Sequence, residues 1–216
     1  MNCEEFQVPV LEIGLPVVKE ALRCLLHTIM FSRSIGGDVP VEPVTIKSET
    51  LGLSYCRANH VSGPDLGQAI ENKIREFSAR LESNDSLCLI LSLFVPRHGK
   101  KSLWDILSQP FDDRAVFERW KIQVDVTRFD SADEARAVEA ASAQTKERVF
   151  FIIKRVNERM DHLPPPPNDQ PSYHFDISFS ASTRSARGSQ VSSPATPSMW
   201  SPKSIAQSIR SIPFIT

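Results

Sequence analysis

Cysteine and histidine side chains are the groups in this 216-residue sequence that could act as nucleophiles, bases or metal ligands. They lie far apart, with no CxxC pair and no cysteine and histidine at the spacing of a zinc site. We therefore expect free thiols, buried in a reducing compartment, and no metal or other cofactor. The residues concerned are Cys3, Cys24, Cys56 and Cys88, and His27, His60, His98, His162 and His174.

Motifs for enzymatic chemistry are not found in the sequence. It has no glycine-rich phosphate loop, GxSxG, HExxH or kinase signature. His27 falls within an apolar helical pattern, where a core histidine is more common than a catalyst. A thiol-dependent enzyme built around Cys88 is the weaker alternative, since a thiol buried in a strand is usually inert. The sequence predicts a protein that is not an enzyme.

The segment "HGKKSLWDILSQPF" places Trp104, Ile106 and Leu107 directly after Lys100 and Lys101, between two predicted strands. A loop tryptophan of this kind either folds back onto the core or serves as an exposed anchor, because tryptophan is enriched at binding hot spots. For the basic run itself, solvated loop charge is favoured over a phosphate or acidic partner, since no aromatic platform accompanies it.

Overall charge and hydropathy exclude two classes of partner. A net charge of -1 gives no field that would attract nucleic acid. The longest uncharged apolar stretch, Leu87–Pro96, is far shorter than the roughly 20 residues of a membrane span, so we expect no integral membrane segment. No charged and apolar leader precedes the first strand, and we expect a cytoplasmic protein.

Hydrophobic periodicity predicts the elements that must position these residues. Helices are predicted over 16–34, 64–82 and 131–160, the first packed on more than one face and the last opened by a capping box from Ser131 to Glu134. Strands are predicted over 6–13, in a hairpin over 43–58, over 86–96 as a central strand covered on both faces, over 117–129, and over 172–180.

The third helix carries an apolar stripe of Val138, Thr145, Val149, Ile152 and Val156. Phe150 and Ile153 fall off this stripe. They either form a second face that serves as a dimer interface or belong to a wide stripe facing the core.

Composition changes at about residue 181. Residues 181–216 hold ten serines, four basic residues and no acidic residue, which predicts a disordered tail after a single domain over 1–180. Ser193, Thr196 and Ser201 each precede a proline and suit proline-directed phosphorylation, although such short patterns also arise by chance in serine-rich tails.

Several segments resemble a known family. They are "LEI" with "VKEALRCLLHTIMFSRSIG" in the first helix, "KKSLW" in the loop, "FERWKIQVDV" in the next strand and "YHFDISF" near the end. Together they resemble the HORMA domain and, more specifically, the autophagy-related protein 101 family, over roughly residues 1–180. This resemblance implies an α+β HORMA domain, a mostly antiparallel sheet backed by three helices.

The resemblance also implies a function. It implies a non-enzymatic scaffold of the autophagy-initiation kinase complex that pairs with the HORMA domain of autophagy-related protein 13, stabilises it and is recruited to the phagophore assembly site. The family's loop carries a tryptophan and phenylalanine finger that recruits downstream autophagy factors. Trp104 matches its tryptophan, whereas Ile106, Leu107 or Phe111 must replace the phenylalanine. With the resemblance, the exposed anchor is favoured.

A peptide-trapping HORMA switch is the main alternative function. Such a switch wraps a mobile C-terminal belt around its ligand. Only twelve residues separate Met160 from Tyr173, and four of them are consecutive prolines that favour a stiff, extended path. We therefore expect a single conformer resembling the open state of HORMA proteins.

Overall fold

The computed structural model describes residues 2–34, 41–60, 66–96, 114–129, 133–165 and 173–181. These residues belong to one compact unit, Met1–Thr183, whereas the second unit, Arg184–Thr216, lies outside the described residues. The predicted boundary near residue 180 stays a prediction. The elements are β1 (Glu4–Ile13), α1 (Leu15–Ser34), β2 (Val41–Ser48), β3 (Leu53–His60), α2 (Leu66–Leu81), β4 (Ser86–Pro96), β5 (Arg114–Val126), α3 (Glu134–Glu158) and β6 (His174–Ala181).

Four of the strands form one sheet in the order β1-β5-β4-β6. β1 runs parallel to β5, whereas β4 pairs antiparallel with both β5 and β6. β2 and β3 form the predicted hairpin, whose turn ends at Gly52 with a φ of 61°, a left-handed conformation that glycine adopts without strain. The predicted α+β fold with three helices and a mostly antiparallel sheet is confirmed.

The central strand β4 differs from its prediction. Leu89, Leu91 and Leu93 are fully buried, but Ile90 and Ser92 on the opposite face are only half-buried. No described helix covers that face. The prediction of a strand covered on both faces was wrong. An apolar run such as "LCLILSLF" occurs in strands buried on both faces and also in strands with one buried and one partly exposed face, so the run alone does not distinguish the two cases.

Helix α1 is buried on nearly every side, as predicted. It contacts α2, α3 and the hairpin, and His27 stacks on Tyr55 of β3 with ring centroids 5.6 Å apart. Near its end, Arg33 reaches Glu118 of β5. Because the helix packs against so many elements, it needs the apolar residues that its sequence carries on all sides.

A bulge in β5 turns two consecutive side chains into the core. Leu93 pairs with Glu118 and Phe94 pairs with Val116, so Phe117 is an extra residue in the ladder. In a regular strand, neighbouring side chains point to opposite faces, but here both Phe117 and Glu118 are fully buried. Glu118 faces the core through the regular alternation that it shares with Trp120 and Ile122, and the bulge adds Phe117 to the same face.

Glu118 is the centre of a buried charge cluster. The guanidinium of Arg33 donates to both carboxylate oxygens, from Nε to Oε1 at 3.0 Å and from Nη2 to Oε2 at 2.9 Å. The indole of Trp120 also donates to Oε1, and His162 Nε2 lies 2.8 Å from Oε2. The side chains of Arg33 and Glu118 are 1% and 0% exposed. The cluster joins α1, β5 and the segment that follows α3.

The outer edge of β1 is closed by side chains of α3. The amide of Gln144 accepts from the backbone N–H of Glu12 at 3.0 Å and donates to its carbonyl at 2.9 Å. Arg148 donates to the carbonyl of Val10 at 2.8 Å. The side chains of a helix thus supply the hydrogen bonds that a neighbouring strand would otherwise make.

Helix α3 begins later than its sequence predicted. Its N-cap is Asp133, which makes no capping hydrogen bond through its side chain. The predicted capping box from Ser131 to Glu134 was wrong, since Glu134 is the first helical residue rather than the third. Asp133 forms a side-chain ion pair with Arg136 instead, at 3.6 Å.

We expect Arg33→Ala to destabilise the protein strongly, because it leaves Glu118 buried without its cation. Removing one partner of a buried ion pair costs about 3 to 5 kcal/mol. Urea denaturation should show this loss. The matched control is Arg23→Ala, which breaks the partly exposed Arg23–Glu71 pair and should cost about 1 kcal/mol or less. Equal losses in the two variants would contradict the central role of the buried pair.

Candidate protein-binding site

Two large apolar side chains, Phe150 and Ile153, lie on the solvent side of α3. Phe150 is 61% exposed and Ile153 is 40% exposed. We call this pair the α3 patch. The structure does not place either residue in the core, so the wide core-facing stripe is excluded for both. Whether the patch is an interface stays a prediction.

The rest of α3 explains why the patch faces outward. Thr145, Ile152 and Val156 are buried, and Val138 and Val149 pack against the core as partly buried residues. At about 100° per residue, Ile153 lies roughly 80° and Phe150 roughly 140° away from the direction of Thr145. The predicted stripe is confirmed.

Charged and aromatic side chains surround the α3 patch. Lys154 pairs with Glu158, with nitrogen and oxygen 3.8 Å apart, and Arg155 lies over the ring of Phe151 at 5.2 Å. An apolar centre with a polar, solvated rim is the usual organisation of a protein interface. The C-terminal half of α3 therefore has the chemistry of a docking surface.

The other residues predicted to form sites lie outside the described residues. These are Trp104, Ile106, Leu107, Lys100 and Lys101 in the loop, and Ser193, Thr196 and Ser201 in the tail. The two ends of the loop are described. Pro96 and Arg114 are paired across β4 and β5, so the loop starts and ends at the same end of the sheet.

That end of the sheet also holds the end of α3. His162, four residues beyond the helix, contacts Glu118, and Arg159 lies 3.9 Å from Glu4 at the start of β1. The loop ends and the C-terminal half of α3 thus belong to the same end of the sheet.

The buried histidine is not suited to act as a base. Burial first, and then the positive charge of Arg57, lower the pKa of His27 to about 4, so its imidazole is neutral at physiological pH. Its Nδ1 has no hydrogen-bond partner among the described residues. Burial likewise raises the pKa of its stacking partner Tyr55 to about 12. His27 was expected to be a satisfied core histidine, and its core position is confirmed but its full hydrogen bonding is not.

Three of the thiols are also unsuited to nucleophilic chemistry. Burial raises the pKa of Cys24 to about 12 and raises the pKa of Cys88 and of Cys3 above the ordinary value, so these thiols stay protonated. All four cysteines are free, as expected. Only Cys24 and Cys88 are buried, and the prediction of burial was wrong for Cys3 and Cys56.

Two classes of site are missing from the described part of the chain. No cluster of three or more histidine, cysteine, aspartate or glutamate side chains could hold a metal ion there. Within the same residues, no helix combines the length and apolar character that crossing a membrane requires.

The charge cluster and one exposed aromatic residue were missed by the sequence analysis. Glu118 precedes Trp120 by two residues, and that spacing on an alternating strand was a signal that its carboxylate faces the core. Phe129, 46% exposed, lies three residues beyond the end of β5. No pattern distinguished it from an ordinary residue at the end of a strand.

These observations define a class of protein: an α+β fold, consistent with a HORMA-like fold, that exposes an apolar surface on its longest helix. The chain belongs to the Autophagy-related protein 101 family, because the model of that family matches residues 11–170, more than half of its length.

Curated relatives agree with the family model. The chain is 27% identical to Autophagy-related protein 101 of Arabidopsis thaliana over 209 residues, which cover 87% of this chain and 92% of the relative. It is 28% and 27% identical to the proteins of the same name from Xenopus tropicalis and Homo sapiens, each over 183 residues, 77% of this chain and 78% of the relative. Family membership supports a role in autophagy.

We expect His27 to make the stability of the protein depend on pH. Its pKa is lowered from 6.5 to about 4 in the folded state, so the unfolded chain binds the proton first as the pH falls. Stability should therefore decrease below about pH 6.5, with a loss of about 2 kcal/mol at pH 5 from this residue.

Urea denaturation of the wild type and of His27→Leu at pH 7.5, 6 and 5 measures this effect. Titrating groups that do not interact with His27 contribute equally to both proteins and cancel in the difference. The variant should lose less stability than the wild type as the pH falls. Parallel pH profiles would show that His27 does not contribute.

Proposed function

We propose that the protein is a non-enzymatic scaffold of autophagy initiation that pairs with the HORMA domain of autophagy-related protein 13 and stabilises it. The observation that carries this proposal is the α3 patch, where Phe150 is 61% and Ile153 is 40% exposed on a helix whose other large apolar residues pack on the core. Burying a phenylalanine or isoleucine side chain stabilises a complex by about 1.5 to 3 kcal/mol. In the isolated chain both side chains are in contact with water, so this stabilisation is absent.

The turn of the hairpin contacts α3 about 12 Å along the helix from Phe150. Ser142 of α3 donates from its hydroxyl to the carbonyl of Leu51, which ties the turn of the hairpin to the helix. A stable interface buries roughly 1,200 to 2,000 Å² in total, more than two side chains can supply. The partner therefore contacts the helix together with the neighbouring hairpin, and the α3 patch acts as the hot spot.

The loop between β4 and β5 supplies the second function of the scaffold. In this proposal Trp104, with Ile106 and Leu107, is an exposed anchor that recruits downstream autophagy factors, and Lys100 and Lys101 accelerate encounter with acidic partners. Recruitment takes the initiation kinase complex to the phagophore assembly site from the cytoplasm. Phosphorylation of Ser193, Thr196 and Ser201 in the tail regulates this recruitment.

A peptide-trapping switch fits the described contacts less well. His162 contacts the buried Glu118, and the hydroxyl of Tyr173 donates to the carbonyl of Pro164 at 2.6 Å. Both contacts fix the start of the segment that a belt would have to release. We therefore propose a single conformer, and two slowly exchanging monomers on ion exchange would favour the switch instead.

The pairing is tested with the double variant Phe150→Asp, Ile153→Asp. Two carboxylates in the centre of the interface should abolish co-elution with the partner's HORMA domain at micromolar concentration, because unpaired charges are costly to bury. Thermal stability of the isolated protein should change little, since both side chains are exposed.

The matched control is Ala69→Asp, Ala79→Asp, which adds the same charge at two exposed positions of α2. This control should still pair with the partner. Normal pairing by the α3 variant, or equal loss in both variants, would refute the α3 patch as the interface.

The loop is tested with the triple variant Trp104→Ala, Ile106→Ala, Leu107→Ala. Pairing and thermal stability should stay close to the wild type, while autophagosome formation in cells is lost, because an exposed anchor supports little of the core. Lys100→Ala, Lys101→Ala should have a smaller, salt-sensitive effect. A triple variant that loses about 3 to 5 kcal/mol of stability would instead assign Trp104 to the core.

A further inference from the structure

A cavity of about 460 Å³ lies at the end of the sheet opposite the loop. Four parts of the fold form it: the turn between β1 and α1, the end of α2, the end of β5 and the start of α3. The backbone fixes this junction, because the N–H of Val126 donates to the carbonyl of Asp85 at 2.8 Å and the N–H of Thr127 donates to the carbonyl of Ile13 at 3.0 Å.

The walls of the cavity are mainly apolar. Its size lies within the usual range of about 300 to 1,000 Å³ for ligand sites, and it can take one large side chain. Phe129 forms part of the rim, and its ring lies 3.5 Å from the position that a Cβ on Gly14 would occupy. The apolar lining residues are Leu15, Pro16, Val17, Leu81, Val126, Phe129, Ala137 and Val138.

The charges around the cavity are unbalanced. Glu82, Asp85 and Glu134 line it with a single cation, Arg128. Arg128 pairs with Asp85 at 3.0 Å. No described lysine, arginine or histidine lies within ion-pair distance of Glu82 or Glu134, so two carboxylates remain without a cation in the described part of the protein.

The partial charges of the helix ends do not reverse the negative charge of the cavity. The N-termini of α1 and α3 each bring about half a positive charge to the cavity, and the C-terminus of α2 brings about half a negative charge. Their sum is roughly half a positive charge, against two uncompensated carboxylates. The cavity therefore favours a cation beside an apolar group.

The cavity is remote from the surfaces already proposed. It lies at the Val126 end of β5, about 40 Å from the loop end at Arg114, since 13 residues of strand separate them at about 3.3 Å each. Along α3, Glu134 is about 24 Å from Phe150 at 1.5 Å per residue. One molecule can therefore bind at this cavity while both other surfaces are occupied.

We propose that the cavity is a further docking site, which takes a segment of a partner protein with one large apolar side chain flanked by lysine or arginine. The apolar side chain fills the space lined by Leu81, Val126 and Val138. The flanking cations lie against Glu82 and Glu134. This inference does not depend on the α3 patch or on the loop.

Methyl NMR titration of the full-length protein with the peptide acetyl-Arg-Phe-Arg-amide tests the proposal. The methyl signals of Leu81, Val126 and Val138 should shift saturably, with a dissociation constant on the order of 1 mM for a peptide this short and flexible. The comparison peptides are acetyl-Glu-Phe-Glu-amide, with reversed charge, and acetyl-Arg-Ser-Arg-amide, without the apolar group. Neither should bind at this site.

Protein variants test separately whether binding requires the carboxylates and whether it requires the apolar space. Glu82→Lys, Glu134→Lys should weaken binding of the Arg-Phe-Arg peptide at least about tenfold through repulsion. Ala137→Phe should abolish binding by filling the cavity. Glu49→Lys, Glu139→Lys makes the same charge change at exposed positions outside the cavity and should leave binding unchanged.

Several outcomes would overturn the proposal. The first is an absence of methyl shifts up to 10 mM peptide, on the order of ten times the expected dissociation constant. The second is equal binding of the Arg-Phe-Arg peptide and the reversed-charge peptide. The third is an equal effect on binding of the charge change inside the cavity and the charge change outside it. Binding of phenethylammonium chloride with at least the affinity of the peptide would overturn a protein segment as the occupant, and would indicate a small cationic molecule instead.

Discussion

The buried pair of Arg33 and Glu118 is the interaction on which the arrangement of the other elements depends. Taking two charges out of water is costly, and the cost is met only if both remain in place with their remaining hydrogen bonds made. The alternation of β5 turns Glu118 inward, the end of α1 supplies Arg33, and His162 completes the contact from beyond α3. Helix, sheet and the segment leading to β6 are therefore fixed relative to one another.

Helix α3 combines three roles along one length. Its apolar stripe packs on the core, its polar side chains Gln144 and Arg148 bond to the edge of β1, and Phe150 and Ile153 remain in water. The core and edge contacts hold the helix in place, so an exposed patch can be presented without reorganisation. A preorganised surface of this kind loses less conformational entropy when a partner binds.

The sequence predicted the helices and strands well because their periodicity follows from burial on one face. It failed where a local irregularity decides the outcome. The burial of Phe117 beside Glu118 depends on an extra residue in the β5 ladder, and the later start of α3 depends on Asp133 rather than Ser131. Phe150 and Ile153 were recognised as residues off the stripe, but their exposure depends on which elements pack against α3. The cavity near Phe129 is formed by four separate parts of the chain, and no local pattern predicts it.

The hydrogen bonds between α3 and β1 bear on how copies of the protein behave when they are concentrated in an assembly. An open edge strand is a template for uncontrolled pairing between molecules, and proteins avoid this by covering such edges. Here a glutamine amide and an arginine occupy the donors and acceptors of Glu12 and Val10. A second chain could add at Val10 and Glu12 only by displacing these bonds, so crowding many copies together does not lead to fibre growth through this part of the edge.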